Sequence, residues 1–134
     1  MAVRIFVAGD NPKNAELITT TFAPFGHEII PVNGVALGLF LAHKNFPHVI
    51  ICDLKMIDGT GMEFLGQVKQ DPDLSNIPFL FLCTSACNGS VSDEAKALGA
   101  EKILCHPISP EQLSLALAPY LTERGEEREP DTPE

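Results

Sequence analysis

Two short runs, Val49–Cys52 and Phe79–Cys83, are apolar at every position. A strand with one face in water alternates apolar and polar residues, so a run without a polar member must be covered on both faces. The chain on either side alternates strand-like and helix-like segments. Residues 3–8 read as a first strand. Asn11 caps a helix with Pro12 in its first turn, Ala15, Ile18, Phe22 and Phe25 at helical spacing, and Gly26 at its end. Glu28–Val32 is a short second strand, and Asn33-Gly34 leads into a helix with apolar residues at Leu37, Phe40 and Leu41. The third strand closes at Asp53, and residues 62–70 form a helix with Leu65 and Val68 inward. Pro78 opens the fourth strand, followed by a helix from about residue 92 to 98 that Gly99 stops. Lys102–Cys105 is the fifth strand. Ser109 caps a last helix that starts at Pro110, with Leu113, Ala116, Leu117 and Tyr120 apolar. Five strand-then-helix units with doubly apolar middle strands specify an α/β fold, a five-stranded parallel sheet with helices on both faces.

The chain has 134 residues, enough for one domain with a core that needs no disulfide or metal staple. Residues 1–122 are expected to form that domain, and residues 123–134 an acidic tail or linker. The tail has six acids against two arginines, and the rest has twelve acids against seven bases. A surface of net charge −9 is a poor match for nucleic-acid phosphates. No apolar stretch is long enough to span a bilayer and no basic-then-apolar leader precedes the first apolar run, so the expected compartment is the cytoplasm. Cys52, Cys83, Cys87 and Cys105 contain no Cys-x-x-Cys pair, which argues against a zinc ribbon or a disulfide scaffold.

Asp53 is the residue whose chemistry must be explained first. It ends an apolar strand and is followed by Leu54-Lys55-Met56-Ile57-Asp58-Gly59-Thr60-Gly61, whose Asp-Gly and Thr-Gly pairs mark a turn. Open parallel sheets bind ligands at the carboxyl ends of their strands. Asp10 after the first strand, Cys83-Thr84-Ser85 at the end of the fourth and His106-Pro107 after the fifth converge on the same edge as Asp53. With Gly-Asp-Asn-Pro in the first loop, Asp-Leu-Lys-Met at Asp53 and Leu-Gly-Ala-Glu-Lys before Cys105-His106-Pro107, the chain resembles the receiver domain of bacterial response regulators, from residue 3 to about 121.

The resemblance implies a flavodoxin-like (βα)5 fold and a phosphoacceptor rather than an enzyme. A sensor histidine kinase or phosphotransfer protein would pass a phosphoryl group to Asp53 and a downstream protein would read the result. A homodimer through the last two helix–strand units is also compatible with the family. The implied cofactor is Mg²⁺, weakly bound or absent, on Asp10, Asp53 and the backbone carbonyl of Lys55, since magnesium takes oxygen ligands. The family has two adjacent acids in the first loop, where this chain has Gly9 and Asp10. Its strand-four Ser or Thr matches Cys83, a weak donor, with Thr84 or Ser85 reached by a one-residue slip. Its lysine before the cis-proline matches His106, which carries charge over only part of the physiological pH range. Its strand-five aromatic matches Ile103, and the proline usual after Met56 is Ile57. These departures raise a second expectation, a pseudo-receiver that binds partners without phosphorylation. A third is a metal or redox sensor built on Cys83 and His106. A cysteine-phosphatase loop at Cys83 is excluded, because the required arginine six residues on is Gly89.

Overall fold

In the computed structural model, residues 3–83 and 89–121 are described. The main elements are β1 (Arg4–Ala8), α1 (Pro12–Phe22), β2 (Glu28–Val32), α2 (Val35–Asn45), β3 (Val49–Cys52), α3 (Gly61–Gln70), β4 (Phe79–Cys83), α4 (Gly89–Leu98), β5 (Lys102–Cys105) and α5 (Pro110–Leu121). The strands form one sheet in the order β2-β1-β3-β4-β5 with every pairing parallel. The order reverses at β1, so the loops leaving β1 and β3 diverge and leave a crevice between them.

The sheet is buried on both faces, as the all-apolar runs require. In β3, Ile50 and Cys52 join one core with Phe64, Leu65 and Val68 of α3, while Val49 and Ile51 join the other with Ile18 and Phe22 of α1. The same split separates Phe79, Phe81 and Cys83 from Leu80 and Leu82 in β4. Leu113 and Leu117 of α5 lie in the core with α1. The caps are those the sequence indicates: the Asn11 side chain accepts the Lys13 N–H, Pro12 opens α1, and Ser109 exchanges hydrogen bonds with Gln112 across the first turn of α5. Thr60 and Glu63 make the same reciprocal box at the start of α3.

Three local expectations change. Of the apolar residues that mark α2, Leu41 packs partly buried against the core and the other two do not. Val35, Gly38 and Ala42 face inward, while Leu37 is 45% and Phe40 61% exposed. The cause is close packing: a Cβ on Gly38 would lie 2.7 Å from the Phe64 ring, so the helix approaches α3 along its smallest side chains, with Leu39 and Leu41 at the margin of that core and Leu37 and Phe40 turned outward. Phe25, read as the last core residue of α1, sits in a separate 3-10 turn and is 74% exposed. Finally, α4 begins at Gly89, ahead of the expected residue 92.

Candidate functional site: the carboxyl edge of the sheet

Asp53 follows β3, and its N–H continues the ladder to the Ala8 carbonyl at 2.9 Å. Its Oδ1 accepts the Leu54 N–H at 2.7 Å, and the residue is only 6% exposed. Burial pushes its carboxyl above the ordinary aspartate range. The Leu54 N–H opposes that shift, Asp10 reinforces it, and His106 and Lys55 pull the other way. A buried carboxylate beside a second one is a place where an added cation is favoured.

The backbone brings the expected ligands together. The Asp10 N–H donates to the Lys55 carbonyl at 3.3 Å, tying the loop after β1 to the segment after Asp53. Gly9 makes that approach feasible. Its φ is +138°, and a Cβ there would lie 2.8 Å from the Asp53 Cβ and 3.4 Å from the Lys55 oxygen. The position where the resemblance expects a first acid is therefore built around a missing side chain. Asp10 is exposed and lines a cleft of about 700 Å³ with Asn11, Asn33, Leu37 and Ile57, a cleft that Asp53 itself does not line.

Asp10, Asp53 and the Lys55 carbonyl are an all-oxygen set, which suits a hard cation that keeps several waters. Cys83 and His106 do not join them as metal ligands. Among the described residues, three side-chain donors of the His, Cys, Asp or Glu type gather within 4.8 Å only at His43, Asp71 and Asp73. Cys83 is fully buried in the core that holds Phe79 and Phe81, and its carbonyl accepts the His106 N–H at 3.0 Å. Cys83 and His106 thus belong to no such three-donor group among the described residues. Cys52 is also buried, and burial followed by the charge of Asp53 drives its thiol well above the usual range. Thr84 and Ser85, the alternative hydroxyls, lie outside the described residues, as does the tail at 123–134.

The His106 ring is engaged from α1. Its Nε2 lies 2.8 Å from Asn14 Oδ1, and Asn14 Nδ2 donates to the Leu82 carbonyl of β4 at 3.0 Å. Asn14 is only 2% exposed. Sequence reasoning passed over it, although Asn14, Ile18 and Phe22 recur every fourth residue and a polar member of a buried stripe signals a specific partner. A second omission is a small antiparallel ribbon, Lys55–Met56 against Gly59–Thr60. Two hydrogen-bonding groups brace it against α2. The Ile57 N–H donates to the Asn33 carbonyl at 3.0 Å, and the Asp58 carboxylate accepts the N–H groups of Val35 at 2.6 Å and Ala36 at 3.3 Å. Those bonds hold Asp58 below the usual carboxylate range. The helix they cap has no capping side chain of its own at Gly34.

Comparison with known proteins agrees with this architecture. Residues 5–118 match the protein-family model of the response regulator receiver domain. The chain is 25% identical over 121 residues to the polar-differentiation response regulator DivK of Brucella ovis, covering 90% of this chain and 98% of that protein. The crystal structure of the chemotaxis response regulator CheY4 of Vibrio cholerae superposes with a TM-score of 0.80 at 27% identity, covering 90% of this chain and all of that one. The phosphorylated form of the cyanobacterial phytochrome response regulator RcpA superposes with a TM-score of 0.75 at 25% identity, over 87% of this chain and 89% of that chain.

Proposed function

This chain belongs to the response regulator receiver family of two-component signalling, and on that premise we propose that Asp53 accepts a phosphoryl group from a histidine kinase or phosphotransfer protein. The observation that carries the reading is the meeting of Asp53, Asp10 and the Lys55 carbonyl at one edge, enforced by the Asp10–Lys55 hydrogen bond and the absent side chain of Gly9. These three groups would hold Mg²⁺, which supplies positive charge to the phosphoryl oxygens.

In the reaction, an Asp53 oxygen attacks phosphorus on a donor phosphohistidine. The P–N bond breaks as the P–O bond forms, and the electron pair returns to the donor imidazole, which takes up a proton. The enclosure of Asp53 aligns the attacking oxygen and limits water at the acyl phosphate. Leu54 N–H fixes the rotamer through Oδ1, leaving Oδ2 to attack. Protonated, His106 would supply the cation that a lysine supplies in relatives, and a downstream protein would read the outcome.

A second reading is favoured by three observations. Gly9 replaces an acid, Cys83 is buried, and the His106 ring is already bonded to Asn14. On these grounds the domain would be a receiver-fold interaction module that works without phosphorylation. One experiment separates the two. Incubation with acetyl phosphate and millimolar Mg²⁺ should add a single acid-stable, base-labile phosphoryl group that Asp53→Asn abolishes. No mass gain in folded protein would leave the interaction module as the function.

A further inference from the structure

A buried asparagine on the inner face of α1 is costly unless both ends of its amide are used, and here both are. The Leu82 carbonyl can only accept, so the amide nitrogen of Asn14 must face it. The amide oxygen is thereby turned to His106 and can also only accept, so the proton on that side of the ring must sit on Nε2. The carbonyl of β4 thus determines, through one amide, which nitrogen of the imidazole carries hydrogen.

Building on the phosphoacceptor reading, we propose that Asn14 is a positioning residue: it holds the His106 imidazole as the Nε2–H form against α1, so that Nδ1 is the one ring nitrogen left for a phosphoryl oxygen on Asp53. A neutral ring held this way offers a lone pair at Nδ1 and repels a phosphoryl oxygen. The imidazolium offers N–H at both nitrogens, keeping its bond to Asn14 while donating to the phosphoryl group. Lysine needs no such arrangement, because its ammonium donates in every direction. Asn14 from α1 and the Leu82 carbonyl from β4 are neutral, and the charge of Asp53 after β3 interacts with His106.

The test uses the full chain labelled with ¹⁵N at histidine. The expected result is a His106 Nε2–H proton protected from exchange in the parent and lost in Asn14→Leu, a near-isosteric change. Asn14→Asp keeps an acceptor for Nε2–H and adds a negative charge that favours the imidazolium. It should retain the protected proton and move the alkaline limit of phosphoryl uptake up by about one pH unit. Ring signals unaffected by Asn14→Leu, or an uptake profile in Asn14→Asp that coincides with that of the parent, would overturn the proposal. A protected ring proton in a parent that takes up no phosphoryl group is a separate failure: it would refute the phosphoacceptor reading and with it the role given to Nδ1, while leaving Asn14 as the residue that holds the ring.

Discussion

Gly61 and Gly66 lie on the same helix, yet adding one methyl group at each should shift stability in opposite directions. A Cβ on Gly61 would lie 2.2 Å from the Asp53 carbonyl oxygen, 2.8 Å from the Phe81 ring and 3.1 Å from Cys52 Sγ, well inside the 3.4 Å at which ordinary contact begins. The nearest obstacle is backbone that cannot rotate aside, since Asp53 is anchored by its N–H to Ala8 and its carboxylate to Leu54. Overpacking of this kind costs about 1–3 kcal/mol. A 2.2 Å approach to fixed backbone calls for the upper end of that range, about 3 kcal/mol, and exchanging glycine for alanine in a helix returns roughly 0.5–1 kcal/mol, so the net loss at Gly61 should be about 2–2.5 kcal/mol. A Cβ on Gly66 meets nothing within 4 Å. Only the helix gain remains there, and Gly66→Ala should stabilise by about 0.5–1 kcal/mol. Urea unfolding followed by circular dichroism reads both, with a midpoint lower by about 1 M for Gly61→Ala and higher by a few tenths of a molar for Gly66→Ala. Phosphoryl uptake should fall only in Gly61→Ala, because only that methyl pushes on Asp53. A Gly61→Ala midpoint at or above the parent value would refute the close-approach argument.

Asp58 gives a pH signature. Its carboxyl is depressed by the Val35 and then the Ala36 N–H, so its capping contribution is complete above the ordinary aspartate value of about 3.9 and disappears as pH falls through the lower folded value. Protection of the Val35 and Ala36 amides, taken relative to the intrinsic exchange rate at each pH, should therefore fall on acidification, and Asp58→Ala should show the low protection at neutral pH. Gly9→Asp, which restores the family pair of acids on paper, should weaken Mg²⁺ binding measured by calorimetry instead of improving it, since φ is +138° and the new Cβ would strike the Asp53 side chain. Cys83 is a weak donor and Ile103 has few χ1 choices, so a phosphoryl mimic should shift amide resonances in β4, β5 and α5 only slightly. Large shifts running from Cys83 through Ile103 into α5 would contradict that expectation.

The order of elements was legible because apolar runs and breakers alternate cleanly, and the placing of Asp10 and Asp53 at one edge was legible because strand ends converge in any open parallel sheet. Tertiary packing hid the rest. Nothing within α2 announces that Gly38 meets Phe64, and that one contact decides which face of the helix is buried. The partner of Asn14 is 92 residues away, so periodicity flags its burial but cannot supply His106. The ribbon after Asp53 is two residues per strand, below the length at which alternation can be read.

That ribbon bears on how the domain can be taken apart and recombined. Where relatives have proline after Met56, Ile57 has an N–H, and it is spent on Asn33, while Asp58 closes the first turn of α2. Residues 53–61 are therefore not an exchangeable cassette. Grafted alone onto another receiver, they would arrive without the Asn33 acceptor and would leave behind a helix with an open end. The smallest portable unit runs from Asn33 through Gly61, and chimaeras cut inside it should lose the placement of the Lys55 carbonyl even when every ligand residue is retained.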